Sequence, residues 1–478
     1  MNLSTLLVAL APEAALTLVA LFVLFLGVRP TGTSRAPAMV GLVGCLLAMG
    51  ILFLVPTPAS LGSGAIVITR MTVVIKAVIL LLSAGSLGMF LDTPVSRHRA
   101  EAVALMLFAT VGLLVLAGTE DLLVLFASLE LASLSLYALA GLEKTRRKSA
   151  EAALKYFLVG GVSAAFLLFG ISLIFGVTHS TNLRTIGAFA SQDPLFLVGM
   201  VMAIAGFAFK VAAVPFHLWA PDVYEGAPLP SAALVATGSK VAGFFVLIQL
   251  LQTGFPDAPQ WPVLLAVLAC ASMILGNLAA LVQSNVRRLA AYSAIAQGGY
   301  LLLGIALGAS MSSLIYFLIV YVAGALGTFG VIAAVEKRRG GSRYEDFDGL
   351  YQSSPVLACA LLIFFASFAG IPPLAGFFGK AAVFLSVLEK GGPAAVWLVG
   401  LALVLNAVSL YYYLVVLRHA LLTPAPDQAP PPALPATTLA IVVAAVVIIV
   451  CGFFPDTLLR VIRAAEAPAK TVHTLPHR

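Results

Sequence analysis

Long apolar runs, separated by short polar segments, make up most of this chain of 478 residues. About 20 helical residues cross the hydrocarbon core of a bilayer, and the apolar runs have this length. The pattern therefore predicts an all-α polytopic membrane protein with about 14 transmembrane helices. The predicted spans are residues 4–28, 36–56, 69–91, 101–118, 121–141, 150–176, 195–214, 228–252, 261–283, 286–307, 311–335, 354–390 (interrupted), 394–419 and 436–455.

The composition agrees with this class. Hydrophobic residues make up 61% of the chain and charged residues only 10%, whereas about a quarter of the residues of a soluble domain are charged. The first basic residue, Arg29, follows the first span, so we expect that span to be a membrane helix and no cleaved signal. The four cysteines stand singly in apolar spans, which predicts small buried apolar residues and neither metal ligands nor disulfides. They are Cys45, Cys270, Cys359 and Cys451.

Basic residues in the loops predict the orientation. With the N-terminus outside, the cytoplasmic loops hold most of the loop Lys and Arg, and the opposite loops hold little beyond Arg184 and Lys390. The positive-inside rule then places both termini on the extracytoplasmic side. The formal charge of +7 is thus a topology signal and gives no reason to expect nucleic-acid binding. The cytoplasmic set is Arg29, Arg35, Arg97, Arg99, Lys144, Arg146, Arg147, Lys148, Arg287, Arg288, Lys337, Arg338, Arg339, Arg343 and Arg418.

Four charged residues lie well inside predicted spans: Glu130, Lys210, Lys240 and Lys380. An ionisable group in hydrocarbon is costly, so such a residue indicates an ion or proton path. Burial favours the neutral amine of a lysine, whereas a nearby carboxylate favours the ammonium. A row of such groups joined by water can therefore pass protons stepwise when one carboxylate moves.

For two further charged residues, the sequence does not distinguish a functional role from a structural one. Lys76 lies about a turn and a half inside its span, so it either has a function there or extends its ammonium to the interface. Glu13, near the middle of the first span, is ambiguous in the same way, and a contact to a partner helix is one interpretation.

The spans also repeat. A five-helix block at residues 101–253 contains Glu130 and then Lys210, and a second block at 261–419 contains Gln297 and then Lys380. An odd number of helices makes the second block enter the membrane from the opposite side, which predicts an inverted repeat of the kind found in transporters. Residues 1–100 form a three-helix segment before the blocks, and residues 420–478 hold a loop, the last span and a tail.

Prolines predict a broken helix in each block. Pro215 follows Lys210, and Pro372 and Pro373 precede Lys380. Helices that break at membrane depth are characteristic of buried ion sites. The lysine precedes its proline in one block and follows it in the other.

Three further features have more than one interpretation. His217 and the stretch from Asp222 to Glu225, just after Pro215, are candidates for the aqueous mouth of a proton route. His217 has a second interpretation, as a cap on the broken helix. The run from Tyr411 to Tyr413, near the end of the thirteenth predicted span, is typical of an interfacial aromatic belt.

Four strings in this chain resemble the antiporter-like membrane subunits of respiratory complex I, the proton-pumping NADH:quinone oxidoreductase. They are QSNVRRLAAYSAIAQGGYLLLG, FKVAAVPFHLWAPDVYEGAP, SAEAALKYFLVGGVSAAFLLFG and GIPPLAGFFGK. The resemblance runs from about residue 100 to 420. It implies a subunit of the membrane arm, in the bacterial inner membrane, beside other antiporter-like and small membrane subunits.

The same resemblance implies roles for individual residues. Glu130 and Lys210 correspond to an input pair, Lys240 to a relay group and Lys380 to the group that passes the proton out. His217 matches the histidine of the family's PFHLW string. Gln297 stands where many relatives carry a histidine; it can hydrogen-bond to water but cannot hold a proton, so this step depends more on water.

Nothing in the chain suggests a redox centre. There is no GxGxxG after a strand, no Walker loop and no cysteine spacing for iron–sulfur clusters. We therefore expect the FMN, the iron–sulfur clusters and the sites for NADH and quinone to lie in other subunits. Two alternatives stay open, because they share the same lysines and glutamate: a subunit of a multi-component cation/proton antiporter, and a subunit of a membrane-bound hydrogenase-type complex.

Overall fold

Helices form at all the predicted spans in the computed structural model. It describes residues 7–28, 35–61, 65–93, 98–189, 193–390, 392–424 and 434–466. Arg29 and Arg97, on which the predicted orientation partly depends, lie outside these ranges, as do residues 1–6 and 467–478 at the two ends. Within the described ranges, eleven helices are long and apolar enough to cross a membrane, and three shorter apolar helices complete the predicted fourteen.

We number the helices by span. They are α1 (Ala11–Gly27), α2 (Ala36–Leu52), α3 (Arg70–Asp92), α4 (Arg99–Ala117), α5 (Leu122–Ala140), α6 (Arg147–Thr178), α7 (Pro194–Val211 and Trp219–Gly226), α8 (Leu229–Ala236 and Gly238–Gln249), α9 (Gln260–Leu281), α10 (Val286–Ala306), α11 (Met311–Arg339), α12 (Pro355–Ala369 and Ala375–Lys390), α13 (Gly392–Leu421), α14 (Pro435–Phe453) and α15 (Pro455–Glu466). A π-helical turn, Leu250–Gly254, extends α8.

Some short elements have no counterpart in the predicted pattern. A β-hairpin of β1 (Ala59–Leu61) and β2 (Ile66–Ile68) precedes α3, and Val67 donates a backbone hydrogen bond to the carbonyl of Gly118. The others are a helical turn at Leu183–Gly187, a 3₁₀ turn at Tyr344–Phe347, a turn at Leu350–Ser353 and the helix α15. The strands and turns are too short for a periodic pattern to predict them, whereas α15 has 12 residues and an amphipathic pattern that a prediction based on apolar spans misses.

The centre of the bundle consists of α8, α10 and α11. These helices are buried along nearly their whole length, whereas α6, α13 and α14 expose most of theirs. A helix that is apolar all round belongs in a core or in lipid. The outer helices therefore face lipid or neighbouring chains, and the central helices hold polar groups away from both.

The ends of α5 and α10 show the repeat. Asp121 caps α5 with its side chain and Asn285 caps α10 in the same way. The next residue in each case donates to a distant carbonyl, Leu122 to Thr181 and Val286 to Ser342, both at 2.8 Å. The segment after α6 thus meets the start of α5 as the segment after α11 meets the start of α10. The fold class is confirmed, while the boundaries 101–253 and 261–419 stay predictions.

The break in α7 has a defined geometry. Its first half ends at Val211, and Ala212 takes a left-handed conformation with φ of 59°. The backbone N–H of Ala213 then bonds back to the carbonyl of Ala208 at 2.8 Å, which closes the helix end in the Schellman pattern.

The break in α12 repeats this geometry. Gly370 has φ of 76°, and the N–H of Ile371 bonds to the carbonyl of Ala366 at 2.9 Å. In both helices a proline lies three residues after the left-handed residue. Each repeat therefore contains a broken helix, as predicted. A milder interruption at Thr237 divides α8 and has no sequence signal of that kind.

Lys76 does not reach the interface. Its side chain is 1% exposed, and its ammonium lies 2.6 Å from the carboxylate of Glu13. The interpretation that Lys76 extends to the membrane surface is therefore wrong, because a carboxylate within the bundle is its partner. Glu13 does contact another helix, and the ion pair fastens α1 to α3.

The cysteines divide into two groups. Cys45 and Cys451 are buried, but Cys270 is partly exposed and Cys359 is exposed on α12. The prediction that all four are buried is wrong for Cys359, since this face of α12 turns away from the bundle. Lipid is as apolar as the interior of a protein, so the sequence around a lipid-facing cysteine resembles the sequence around a buried one.

We expect Gly376→Ala to destabilise the protein. A Cβ at Gly376 would lie 1.9 Å from the carbonyl oxygen of Ser367, where the two halves of α12 meet. Because backbone cannot yield as a side chain does, overpacking of this kind costs about 1–3 kcal/mol. The apparent melting temperature of the purified protein in detergent measures the loss. The matched control is Gly400→Ala, where nothing lies within 4 Å of an added Cβ. Equal melting temperatures for the two variants would contradict the close approach of Gly376 to Ser367.

We expect Glu13→Ala to cost about 3–5 kcal/mol, because it leaves the Lys76 ammonium buried without its partner. Replacing both charges, in Glu13→Leu/Lys76→Met, removes this penalty and should restore stability to near the wild-type value. Thermal unfolding of the three proteins in one detergent makes the comparison. A double variant no more stable than Glu13→Ala would show that the ion pair does not explain the loss.

Candidate functional site

Three lysines lie in the interior on helices that are broken or interrupted. Lys210 ends the first half of α7, Lys240 begins the second half of α8, and Lys380 lies in the second half of α12. Their exposed fractions are 1%, 1% and 4%. All three are thus withdrawn from lipid and from water at the surface.

Lys210 is held against α5. Its ammonium donates to the hydroxyl of Ser133 at 3.2 Å. Glu130 lies three residues earlier on the same face of α5, and the Glu130 and Lys210 charges attract each other. One buried carboxylate oxygen of Glu130 has no hydrogen-bond partner among the described residues. Lys210 also lies in the last turn of its half-helix, where free carbonyls favour a cation.

Glycines bring the next helices close. A Cβ at Gly243 of α8 would lie 3.2 Å from Cγ of Lys210, so the lysine stem passes over the bare backbone. A Cβ at Gly298 of α10 would lie 4.0 Å from the Lys240 ammonium and 3.6 Å from the carbonyl of Val211. The end of the first half of α7 therefore meets α8 and α10 at one point, beside both lysines.

Lys240 is bound by α10 and α11. Its ammonium donates to the carbonyl of Ala294 at 2.7 Å and lies 5.7 Å from the centre of the Tyr321 ring. A cation within about 6 Å of an aromatic face is attracted to it. No carboxylate supplies this attraction among the described residues, since the partners are a neutral carbonyl and a ring.

Gln297 and Lys380 share one acceptor. The side-chain amide of Gln297 donates to the carbonyl of Phe368 at 3.0 Å, and the Lys380 ammonium donates to the same carbonyl. Lys380 also donates to the side-chain oxygen of Asn406 and lies 4.9 Å from the centre of the Tyr300 ring. Phe368 stands at the broken end of α12, where carbonyls have no helical partner.

His217 lies in the segment that joins the halves of α7. It is 5% exposed, its backbone carbonyl accepts from Ala220, and its Nδ1 is buried without a hydrogen-bond partner in the described ranges. No side-chain hydrogen bond caps the helix that follows. The interpretation as a side-chain cap is therefore not supported, and a role in proton transfer stays a prediction.

The acidic stretch after His217 forms ion pairs. Asp222 pairs with Lys155 at 2.7 Å and with Arg288 at 2.6 Å. Glu225 pairs with Lys148 at 2.7 Å and with Arg288 at 3.1 Å. These contacts tie the second half of α7 to α6 and α10 and use both carboxylates.

The matching caps show which positions of the two repeats correspond. In the sequence, Glu130 and Gln297 look like counterparts, because each is followed by a buried lysine about 80 residues later. Counted from the caps Asp121 and Asn285, however, Gln297 stands at the position of Ser133, and Ala294 stands at that of Glu130. The second repeat thus binds Lys240 through a backbone carbonyl where the first has a carboxylate.

The prediction of an aromatic belt is wrong for two of its three members. Tyr411 is 63% exposed, but Tyr412 and Tyr413 are each 1% exposed. The hydroxyl of Tyr413 lies 2.5 Å from that of Ser293 and accepts from Gln297 at 3.4 Å, while Tyr412 donates to Asn277. A helix end rich in tyrosine gives the same pattern whether it faces an interface or a polar core.

Sequence reasoning also missed Ser133, Asn406 and Tyr300, because a neutral polar residue in an apolar span carries little signal. In the described ranges no group of three or more His, Cys, Asp or Glu residues could hold a metal ion. The groups that converge are amines, a carboxylate, hydroxyls and amides, which can bind and transfer protons.

Comparison with known proteins gives the same result along nearly the whole chain. The family described as NADH:quinone oxidoreductase/Mrp antiporter, transmembrane, matches residues 119–406. The chain is 45% identical over 443 residues to "NADH-quinone oxidoreductase subunit N 2" of Acidobacterium capsulatum, which covers 86% of this chain and 89% of that protein.

Solved structures share the fold. A chain of respiratory complex I from Thermus thermophilus with bound Aureothin superposes with a TM-score of 0.82 at 34% identity, covering 94% of this chain and 98% of that one. A chain of an archaeal respiratory membrane complex, the membrane-bound sulfane sulfur reductase, gives a TM-score of 0.88 at 25% identity, covering 96% and 97%. The chain therefore belongs to the family of NADH:quinone oxidoreductase and Mrp antiporter transmembrane subunits.

Proposed function

We propose that this chain is a proton-translocating membrane-arm subunit of NADH:quinone oxidoreductase, of the subunit N type. The observation that carries the proposal is the set of three buried lysines, each bound by acceptors inside the bundle, in a chain 45% identical to a protein of that name. Quinone reduction elsewhere in the complex drives the movement. The chain acts as part of a translocating enzyme and supplies no redox centre of its own.

Each member of the row has a role in this proposal. Glu130 and Lys210 form the input pair, because the carboxylate stabilises the ammonium while the two are close. Lys240 relays, since only neutral groups bind it. Lys380 passes the proton out, with Asn406 and the Phe368 carbonyl as its acceptors. His217, in the segment between the halves of α7, completes the route.

Changes in electrostatics drive the transfer. A buried ammonium is stabilised by a nearby carboxylate and destabilised by desolvation. When Glu130 is drawn away or neutralised, Lys210 loses its counter-charge and the proton moves on to a group with weaker partners. Because each lysine lies beside a break in the helical hydrogen bonding, small shifts of a half-helix change these distances.

The complex supplies what the chain lacks. FMN, iron–sulfur clusters and the NADH and quinone sites belong to other subunits, and neighbouring antiporter-like and small membrane subunits cover the apolar outer helices. The location is the bacterial inner membrane. In this proposal both termini are extracytoplasmic, because the positive-inside rule makes the loops that hold Lys148 and Arg288 cytoplasmic.

A multi-component cation/proton antiporter is the second candidate, because the family description also names the Mrp antiporter. Gentle detergent purification of the tagged chain from its own membranes separates the two. Co-purification of flavin and iron–sulfur subunits with NADH:quinone electron transfer supports the first. Small membrane proteins alone, without redox activity, would favour the antiporter and contradict our proposal.

We expect Lys210→Met to reduce NADH-driven proton uptake by inverted membrane vesicles at least about tenfold, the scale of a lost proton-transfer group. Methionine keeps the length of the apolar stem, so packing against Gly243 survives while the charge is lost. Proton uptake is measured at equal amounts of assembled complex.

The control for this variant is Lys144→Ala, an exposed lysine outside the predicted spans. It should pump like the wild type. Full pumping by Lys210→Met in an assembled complex would remove Lys210 from the route.

A further inference from the structure

The row of proton carriers has a gap at Gln297. Its amide donates to Phe368 and Tyr413, and its carbonyl oxygen is buried without a partner among the described residues. A side-chain amide donates and accepts hydrogen bonds but takes up no proton at neutral pH. Some other group between Lys240 and Lys380 therefore has to carry the proton.

Two hydroxyls bracket this position. Tyr413 of α13 and Ser293 of α10 are 1% and 3% exposed, and their oxygens lie 2.5 Å apart. Ser293 is next in sequence to Ala294, whose carbonyl binds Lys240. Tyr413 accepts from Gln297, which shares the Phe368 carbonyl with Lys380. The hydroxyl pair thus lies beside the residues that bind the two lysines, since Ser293 adjoins Ala294 and the centre of the Tyr413 ring lies 6.0 Å from that of Phe368.

A small cavity lies beside the pair. Ser293 and Tyr413 line it together with Tyr321, whose ring faces Lys240, and Phe368, next to Lys380. Its lining is mostly apolar, but its size suits about one water molecule, and Tyr224, which also lines it, has a buried hydroxyl without a hydrogen-bond partner among the described residues. A residue that contacts Lys240 and a residue that contacts Lys380 therefore border the same small cavity.

We propose that the hydroxyls of Tyr413 and Ser293, with one water in this cavity, carry the proton from Lys240 to Lys380 in place of a titratable side chain at position 297. The Lys240 ammonium gives a proton to the first oxygen, each oxygen in turn passes on its own hydrogen, and the Lys380 amine receives the last one. Every oxygen gains one hydrogen and loses one, and no group is oxidised or reduced. Rotation of the hydroxyls resets the chain.

This inference rests on the proposed function, and Tyr413→Phe tests it. The change removes the hydroxyl and keeps the ring, so NADH-driven proton uptake by the assembled complex should fall about tenfold or more. Ser293→Ala should show a smaller loss, because water can replace a small hydroxyl. The matched control is Tyr316→Phe on α11, which loses a buried hydrogen bond to the carbonyl of Cys451 on α14; neither residue lines the cavity, so this variant should pump normally.

Rescue distinguishes proton transfer from structural support. Adding Gln297→His to Tyr413→Phe restores a titratable group at the gap, so uptake should recover and become dependent on pH around the imidazole pKa of about 6.5. Wild-type uptake by Tyr413→Phe, or equal losses with and without Gln297→His, would overturn the inference. If the wild type pumps and Lys210→Met does not, such a result leaves the proposed function intact; a wild type that pumps no protons ends both.

Discussion

The interior of this protein depends on how a buried ammonium finds acceptors where there is no water. In a continuous helix each interior carbonyl already accepts a helical hydrogen bond and can offer only its second lone pair, as Ala294 of α10 does to Lys240. The breaks in α7 and α12 end a helix in mid-bundle and release carbonyls there, and Phe368 uses one of them to bind both Lys380 and Gln297. The cost of interrupting two spans is offset by the contacts that the interruption creates.

The repeats are alike in backbone and unlike in chemistry. The left-handed residues Ala212 and Gly370 end equivalent half-helices, yet Lys210 precedes its break and Lys380 follows the other. A carboxylate stands beside the lysine of the first repeat, and only neutral groups bind the lysines beyond it. In our proposal this asymmetry gives the route a direction. The proton stays on Lys210 while the Glu130 carboxylate stabilises the ammonium, and it moves on readily from Lys240, which has no carboxylate partner.

The position of Gln297 illustrates how such a route tolerates change. In our proposal a histidine there would carry the proton itself, whereas the glutamine leaves this transfer to the hydroxyls of Tyr413 and Ser293. Tyr413 and Ser293 already meet at this point: their hydroxyls lie 2.5 Å apart, the amide of Gln297 donates to Tyr413, and both residues line one small cavity. A relay built from exchangeable hydroxyls and water needs fewer titratable residues than one built from side chains alone.

The sequence by itself determined the class, the spans and the candidate charges, because hydrophobic length and the cost of an ion in hydrocarbon act locally. It also indicated the two breaks, since Pro215, Pro372 and Pro373 cannot continue a helix. Tertiary structure alone decided which charges meet: that Lys76 pairs with Glu13, that Asp222 and Glu225 pair with basic residues, and that Tyr412 and Tyr413 face inward while Tyr411 does not. These outcomes depend on contacts between helices distant in sequence, and an apolar helix carries the same pattern whether its neighbour is lipid or protein.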